Sequence, residues 1–219
     1  MTDLLQEYSP HQDDLYSAVL ADVLDTLGHR HNALPPSVRP LNPEWRVFGR
    51  AMTLQAIAVD EEPEHPYLIE MQCVDALQPG DVLLASTNAD VGSALWGELL
   101  STASRARGAV GAIMDGLTRD SVKILEMNFP VFAAGYSPLD SKGRLNVISY
   151  AEPIRFGNCV AEQGDLVFGD RDGVVVIPQR LAKEALTKAL EKAQGENLVR
   201  EELAAGRSVQ EVFEKYGIL

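Results

Sequence analysis

Residues 108–135 read GAVGAIMDGLTRDSVKILEMNFPVFAAG, and the fold is decided there. Val110 to Met114 form a short apolar run bounded by glycines, as expected of a central strand covered on both faces. Asp115-Gly116 then demands a turn. Asp120-Ser121 is an N-cap signal, and Val122, Ile124, Leu125 and Met127 carry the 3.6-residue period of a short helix that Asn128-Phe129-Pro130 ends. Arg119 and Asp120 therefore fall between the carboxyl end of a strand and the amino end of a helix. In open α/β sheets ligands bind at that junction, because backbone N–H groups and the positive end of the helix dipole face the crevice. From the residues alone, the pair reads equally as catalytic groups or as a structural ion pair.

Working outward toward the amino terminus, the segment from Ala94 to Arg107 is expected to be a helix with Leu99, Leu100, Ala103 and Ala106 on one face. Its start, Gly97-Glu98-Leu99-Leu100, brings main-chain N–H groups toward the crevice; the alternative is that Gly97 only permits close packing. Pro79-Gly80-Asp81 turns into a buried strand over 82–86, and residues 49–59 are a further strand. A short apolar helix is expected over Tyr67 to Met71, and another with Leu15, Val19, Leu20, Val23, Leu24 and Leu27 on one face, closed by Gly28. His29 and His31 lie in a Pro-rich loop without a nearby third ligand, so a solvated loop is favoured over a metal site.

Toward the carboxyl terminus, Asp140-Ser141-Lys142-Gly143 reads as a turn and 145–150 as a strand. Asp165 to Ile177 form two strands joined around Asp170-Arg171-Asp172-Gly173, whose carboxylates read as a solvated turn in preference to a cation site. A helical tail begins at about Pro178, is ended or kinked by Gly195, and resumes from Glu196 to Ala205. Ser208 and Glu211 form a capping box for a last short helix. Without linker, repeat or low-complexity segment, the 219 residues are expected to be a single α/β domain with helical ends.

The composition narrows the function. A formal charge of −13 with no basic stripe argues against a nucleic-acid partner, and an anionic ligand would need a local cation such as Arg119. No apolar run approaches the ~20 residues of a bilayer span, and no basic-then-apolar leader opens the chain, so neither a membrane nor secretion is expected. Cys73 and Cys159 belong to no paired motif and read as buried thiols of a cytoplasmic protein. Neither a Walker loop nor GxGxxG occurs. Glu98, twenty intervening residues, then Arg119-Asp120 place two carboxylates and a guanidinium at one sheet edge, an oxygen-rich set suited to Mg²⁺ or Mn²⁺.

The runs DGLTRD, FPVFAAG, WGELLSTASRARGAVGAI, GDRDGVVVIP and GRSVQEVFEKYGIL together resemble the RraA-like family, across about Leu20 to Leu219. The resemblance implies an α/β/α sandwich with a swivelling-type β core, assembled as trimers or hexamers. Its catalytic branch holds divalent-metal-dependent 4-hydroxy-4-methyl-2-oxoglutarate/4-carboxy-4-hydroxy-2-oxoadipate aldolases. On that basis Asp120 holds the metal, Glu98 bonds to its waters, and N–H groups of Gly97, Glu98, Leu99 and Leu100 receive the carboxylate of a small 2-oxo acid. Arg119 faces the keto oxygen, and either Glu196 reaches the site of a neighbouring protomer as the base, or Glu196 only favours its helix's amino end or pairs with Arg200, and Glu201, Glu202 or water alone is the base. Pyruvate release, with oxaloacetate decarboxylation through the same enolate, is the activity implied. Glu98 departs from the Asp commoner at its position. Two other readings stay open: a non-catalytic regulator binding ribonuclease E, a branch that generally lacks the Arg-Asp pair, and a lyase acting on a sugar-acid-derived 2-oxo acid.

Overall fold

The computed structural model of the chain describes residues 4–218. Helices α1 (Leu4–Tyr8) and α2 (Ser17–Thr26) lead into strands β1 (Arg39–Pro40) and β2 (Val47–Ala58). After them come α3 (Leu68–Ala76), β3 (Asp81–Ser86), β4 (Ala94–Trp96), α4 (Glu98–Ala106), β5 (Gly111–Met114), β6 (Leu117–Thr118) and α5 (Ser121–Glu126). The chain continues through β7 (Val131–Ala133), β8 (Gly135–Tyr136), β9 (Leu145–Tyr150), β10 (Ile154–Phe156), β11 (Cys159–Ala161), β12 (Leu166–Asp170) and β13 (Gly173–Ile177). It ends in α6 (Ala182–Ala204) and α7 (Val209–Tyr216).

The main sheet runs β1-β7-β5-β3-β2-β12-β13, with β9 also pairing β2; β2, β3, β5 and β7 are mutually parallel. The segment ahead of β1 returns to β13: Leu34 N donates to Val174 O at 3.0 Å and Val176 N to Asn32 O at 2.7 Å. The sheet thereby nearly closes on itself. Alternate side chains divide between its two surfaces. Val82, Leu84, Ile113, Phe132, Val167 and Val176 fill the inside, where the β10-β11 hairpin adds Ile154 and Phe156. Leu83, Met114 and Val131 point outward to α3, α4 and α5, while Phe48, Phe168 and Ile177 point to α1, α2 and α6. Burial on both faces is why these strands are continuously apolar. Each fully buried Leu, Ile or Phe contributes about 1.5–3 kcal/mol. The α/β/α layering is the one that the family resemblance implied.

Several local expectations change. Ala94–Trp96 is a strand, because it pairs parallel with β6, and the helix begins only at Glu98. That helix buries Ser101 and Ser104 where a leucine face was expected, and Leu99 is 76% exposed. The small serines let α4 sit close to the sheet, with Trp96 Nε1 donating to Ser101 Oγ at 2.8 Å. The helix expected at Tyr67 to Met71 continues to Ala76. Gly195 does not break α6, which is continuous; a Cβ there would lie 2.9 Å from Ile218 Cδ1, so the glycine makes room for the chain's end. Ser208 starts α7 without a side-chain capping bond. Asp170 is buried rather than solvated: its carboxylate accepts from Ser17 N and Ser17 Oγ at 2.8 and 2.7 Å and so caps α2.

Candidate active site

A second, small parallel sheet, β4-β6-β8, sits at the carboxyl ends of the main strands and builds the site. Trp96 O, at the end of β4, accepts from Arg119 N at 2.9 Å and from Thr118 Oγ1 at 3.1 Å, which fixes the end of β6 beside the start of α4. Gly97 spans the gap in an extended conformation that any residue adopts (φ −155°). Space is what requires a glycine: a Cβ would lie 2.8 Å from Asp120 Oδ2 and 3.3 Å from Arg119 Cγ. Asp120 itself is left-handed (φ 56°) and makes no side-chain bond to its own helix, α5, contrary to its N-cap reading. Its carboxylate turns instead to α4, where Glu98 N donates to Oδ2 at 3.3 Å. A carboxylate at a helix amino end is favoured by the dipole and by the unbonded first-turn N–H groups.

These residues open onto a cleft of about 330 Å³. Arg119 lies on its floor, Nε 3.7 Å from Asp120 Oδ2 and Nη1 3.3 Å from Asp140 Oδ1. The Tyr67 hydroxyl donates to Asp140 Oδ2 at 2.6 Å. Burial, reinforced by that bond, pushes the Tyr67 hydroxyl up to about 12. Glu70 is 3% exposed and its Oε1 has no hydrogen-bond partner among the described residues. Burial, with the Asp140 charge added to it, pushes the Glu70 carboxyl up to about 8 against the opposing pull of Arg119. Arg119 is the only lysine or arginine among the described residues that line the cleft.

Of the residues read from the sequence, Gly97, Leu99, Leu100, Arg119 and Asp120 line the cleft together. Glu98 contributes its main chain, but its carboxylate accepts from Thr102 Oγ1 at 2.8 Å on the outside of α4. Glu196 is not brought to the cleft within this chain. On α6 it accepts from the Tyr16 hydroxyl and lies 3.9 Å from Lys192 Nζ. Asp115 is structural: its buried carboxylate accepts from Thr87 N at 2.6 Å and Ala89 N at 3.0 Å, holding the loop after β3. The sequence reading missed Tyr67, Glu70 and Asp140. A signal existed for Glu70, the one acid in the first turn of an apolar helix and aligned at i+3 and i+4 with the buried Cys73 and Val74. Asp140 carried none beyond its turn.

Among the described residues no group of three or more His, Cys, Asp or Glu side chains converges on a metal position. The Asp120 carboxylate, 40% exposed and lying in the cleft, is an oxygen donor, and no His or Cys lines that cleft among the described residues. Such a site fits a hard cation that takes one protein carboxylate and completes its shell with water and substrate.

A nearly closed mixed sheet between helical layers thus carries the Arg119-Asp120 pair at a helix amino end, on the lining of one cleft. The RraA-like family profile, described as Aldolase/RraA, matches residues 17–176, and the chain belongs to that family. A protein of Halalkalibacterium halodurans named "Putative 4-hydroxy-4-methyl-2-oxoglutarate aldolase" is 32% identical over 83% of this chain and 81% of its own length. Protein DlpA of Legionella pneumophila is 26% identical over 91% of this chain, which spans about a third (32%) of that relative's length. Among solved structures, a protein of Pseudomonas syringae pv. tomato superposes with a TM-score of 0.82 at 26% identity, covering 94% of this chain and 96% of that one. RraAS2 of Streptomyces coelicolor, described as an unusual member of the RNase ES inhibitor RraA protein family, gives 0.77 at 28% identity over 85% and 91%.

Proposed function

We propose that the chain is a divalent-metal-dependent lyase that cleaves 4-hydroxy-2-oxo acids by a retro-aldol reaction and releases pyruvate, with oxaloacetate decarboxylation as a related activity. The observation that carries this proposal is the seating of Arg119 and Asp120 against Gly97, which gives one cleft a guanidinium, a carboxylate and a helix amino end. Asp120 is the residue that would hold Mg²⁺ or Mn²⁺, whose charge stabilises negative charge developing on the substrate's oxygens.

The chain's own groups do the rest. First-turn N–H groups of α4, at Leu99 and Leu100, receive the substrate carboxylate. Arg119, braced by Asp140, donates to the keto oxygen. Loss of the 4-hydroxyl proton turns the C4–O bond into a carbonyl as the C3–C4 bond breaks; the electron pair of that bond passes to the enolate of pyruvate, which then takes a proton at C3, and the C4 fragment leaves as the second carbonyl product. Arg119 stabilises the charge at that oxygen, and because Asp140 and Tyr67 already fix its orientation, little reorganisation is needed as the charge develops. The base is assigned to Glu196 of an adjacent protomer in a trimer or hexamer. Exposed apolar side chains near the cleft, Leu99, Val122, Tyr136 and Leu139, support such an assembly.

Kinetics of single variants test the assignment. Arg119→Ala is expected to lower kcat by at least about a hundredfold, as loss of an oxyanion donor does, while Asp120→Ala first raises the metal concentration needed for half-activity. Near-normal turnover in both variants would contradict it. The likeness to RraAS2 favours a second reading, a regulator of an RNA-degrading enzyme, and that result would raise it.

A further inference from the structure

The charges in the cleft bear on the rest of the substrate. Arg119 is already flanked by Asp120 at 3.7 Å and Asp140 at 3.3 Å. A ligand with one carboxylate has the helix amino end for it; a second carboxylate meets no further cation on the described lining. The wall formed by Tyr67, Glu70 and Asp140 offers acceptors instead. Asp140 accepts a hydrogen bond from the Tyr67 hydroxyl, and Glu70 Oε1 is buried with no partner among the described residues. A buried acceptor left unpaired is costly, and a ligand hydroxyl is a donor that would satisfy it.

We infer that the cleft selects a 2-oxo acid whose tail beyond C4 is neutral and carries hydroxyl groups, of the sugar-acid-derived type, over one whose tail beyond C4 ends in a second carboxylate. The inference rests on the lyase reading above and sharpens it. It sets this chain apart from the Halalkalibacterium halodurans relative, which is named for a dicarboxylate. A site built to bond a hydroxyl rejects analogues that leave its polar groups unpaired.

Two unreactive ligands of equal chain length make the test: 2-oxoglutarate, and 5-hydroxy-2-oxopentanoate, in which CH₂OH replaces the distal carboxylate. Calorimetric titration of the wild-type protein with Mg²⁺ present is expected to give at least about tenfold tighter binding of the hydroxy acid. Pyruvate release should follow the same order for a six-carbon 2-oxo-3-deoxyaldonic acid against 4-hydroxy-4-methyl-2-oxoglutarate. Glu70→Leu should shrink the binding ratio by about threefold or more, and the wild-type ratio carries the test whether or not that variant folds. Equal binding, tighter binding of 2-oxoglutarate, or binding of neither overturns the inference. The expected binding order without pyruvate from either substrate would overturn the lyase reading and leave the ligand class standing.

Discussion

Glu70 shows how one residue links burial to chemistry. Its carboxyl is pushed up from 4.5 to about 8, first by burial and then by Asp140. The folded state therefore binds a proton that the unfolded state releases. The stability this gives is fully present below about pH 4.5 and is lost as pH rises through about 8, by on the order of a few kcal/mol. Urea unfolding of wild type and Glu70→Gln at pH 5, 7 and 9 should show the variant gaining on the wild type as pH rises; parallel profiles would contradict the burial account. The same residue marks a limit of the sequence. Arg119, Asp120 and Gly97 were legible because a strand end, a turn and a helix start adjoin them in the chain. Glu70 and Asp140 reach Arg119 only through tertiary folding, across 49 and 21 positions, and no local pattern encodes that meeting. Glu98 was placed by spacing, yet Thr102 one turn away captures its side chain.

At the scale of elements, period and punctuation located most strands and helices, and errors came where packing overrode propensity. Ala94–Trp96 looks helical next to α4, but pairing with β6 makes it a strand. Gly195 looked like a break, yet α2 and α7 packing on α6 hold the helix through it. Gly195→Ala should remove most of the ~1 kcal/mol helix penalty of glycine, since the atom a Cβ would crowd is the movable end of Ile218. A rise in Tm of about 2–4 °C is expected for a chain of this size. A fall of that size would mean that the Ile218 contact is rigid and outweighs the helix gain.

At the scale of the whole molecule, the layered fold was readable from apolar runs and glycine turns together with the family resemblance, whereas the near-closure of the sheet depends on Asn32 and Leu34 meeting β13, which no local pattern announces. Assembly is the remaining level. Within one chain Glu196 is engaged by Tyr16 and Lys192 away from the cleft, so a catalytic part for it requires a second protomer. Mixing inactive Asp120→Ala and Glu196→Ala subunits after dissociation should restore activity at interfaces that join two intact halves. No recovery despite proven subunit exchange would remove Glu196 from the mechanism and leave water as the base.

Metal-dependent pyruvate release tests the central claim most directly. With the neutral-tailed 4-hydroxy-2-oxo acid as substrate, EDTA should abolish pyruvate formation and Mg²⁺ or Mn²⁺ should restore it. Borohydride added during turnover should trap no adduct, because no lysine lines the described cleft. Undiminished turnover in EDTA, or a substrate-dependent borohydride adduct on a lysine such as Lys123, would contradict the account.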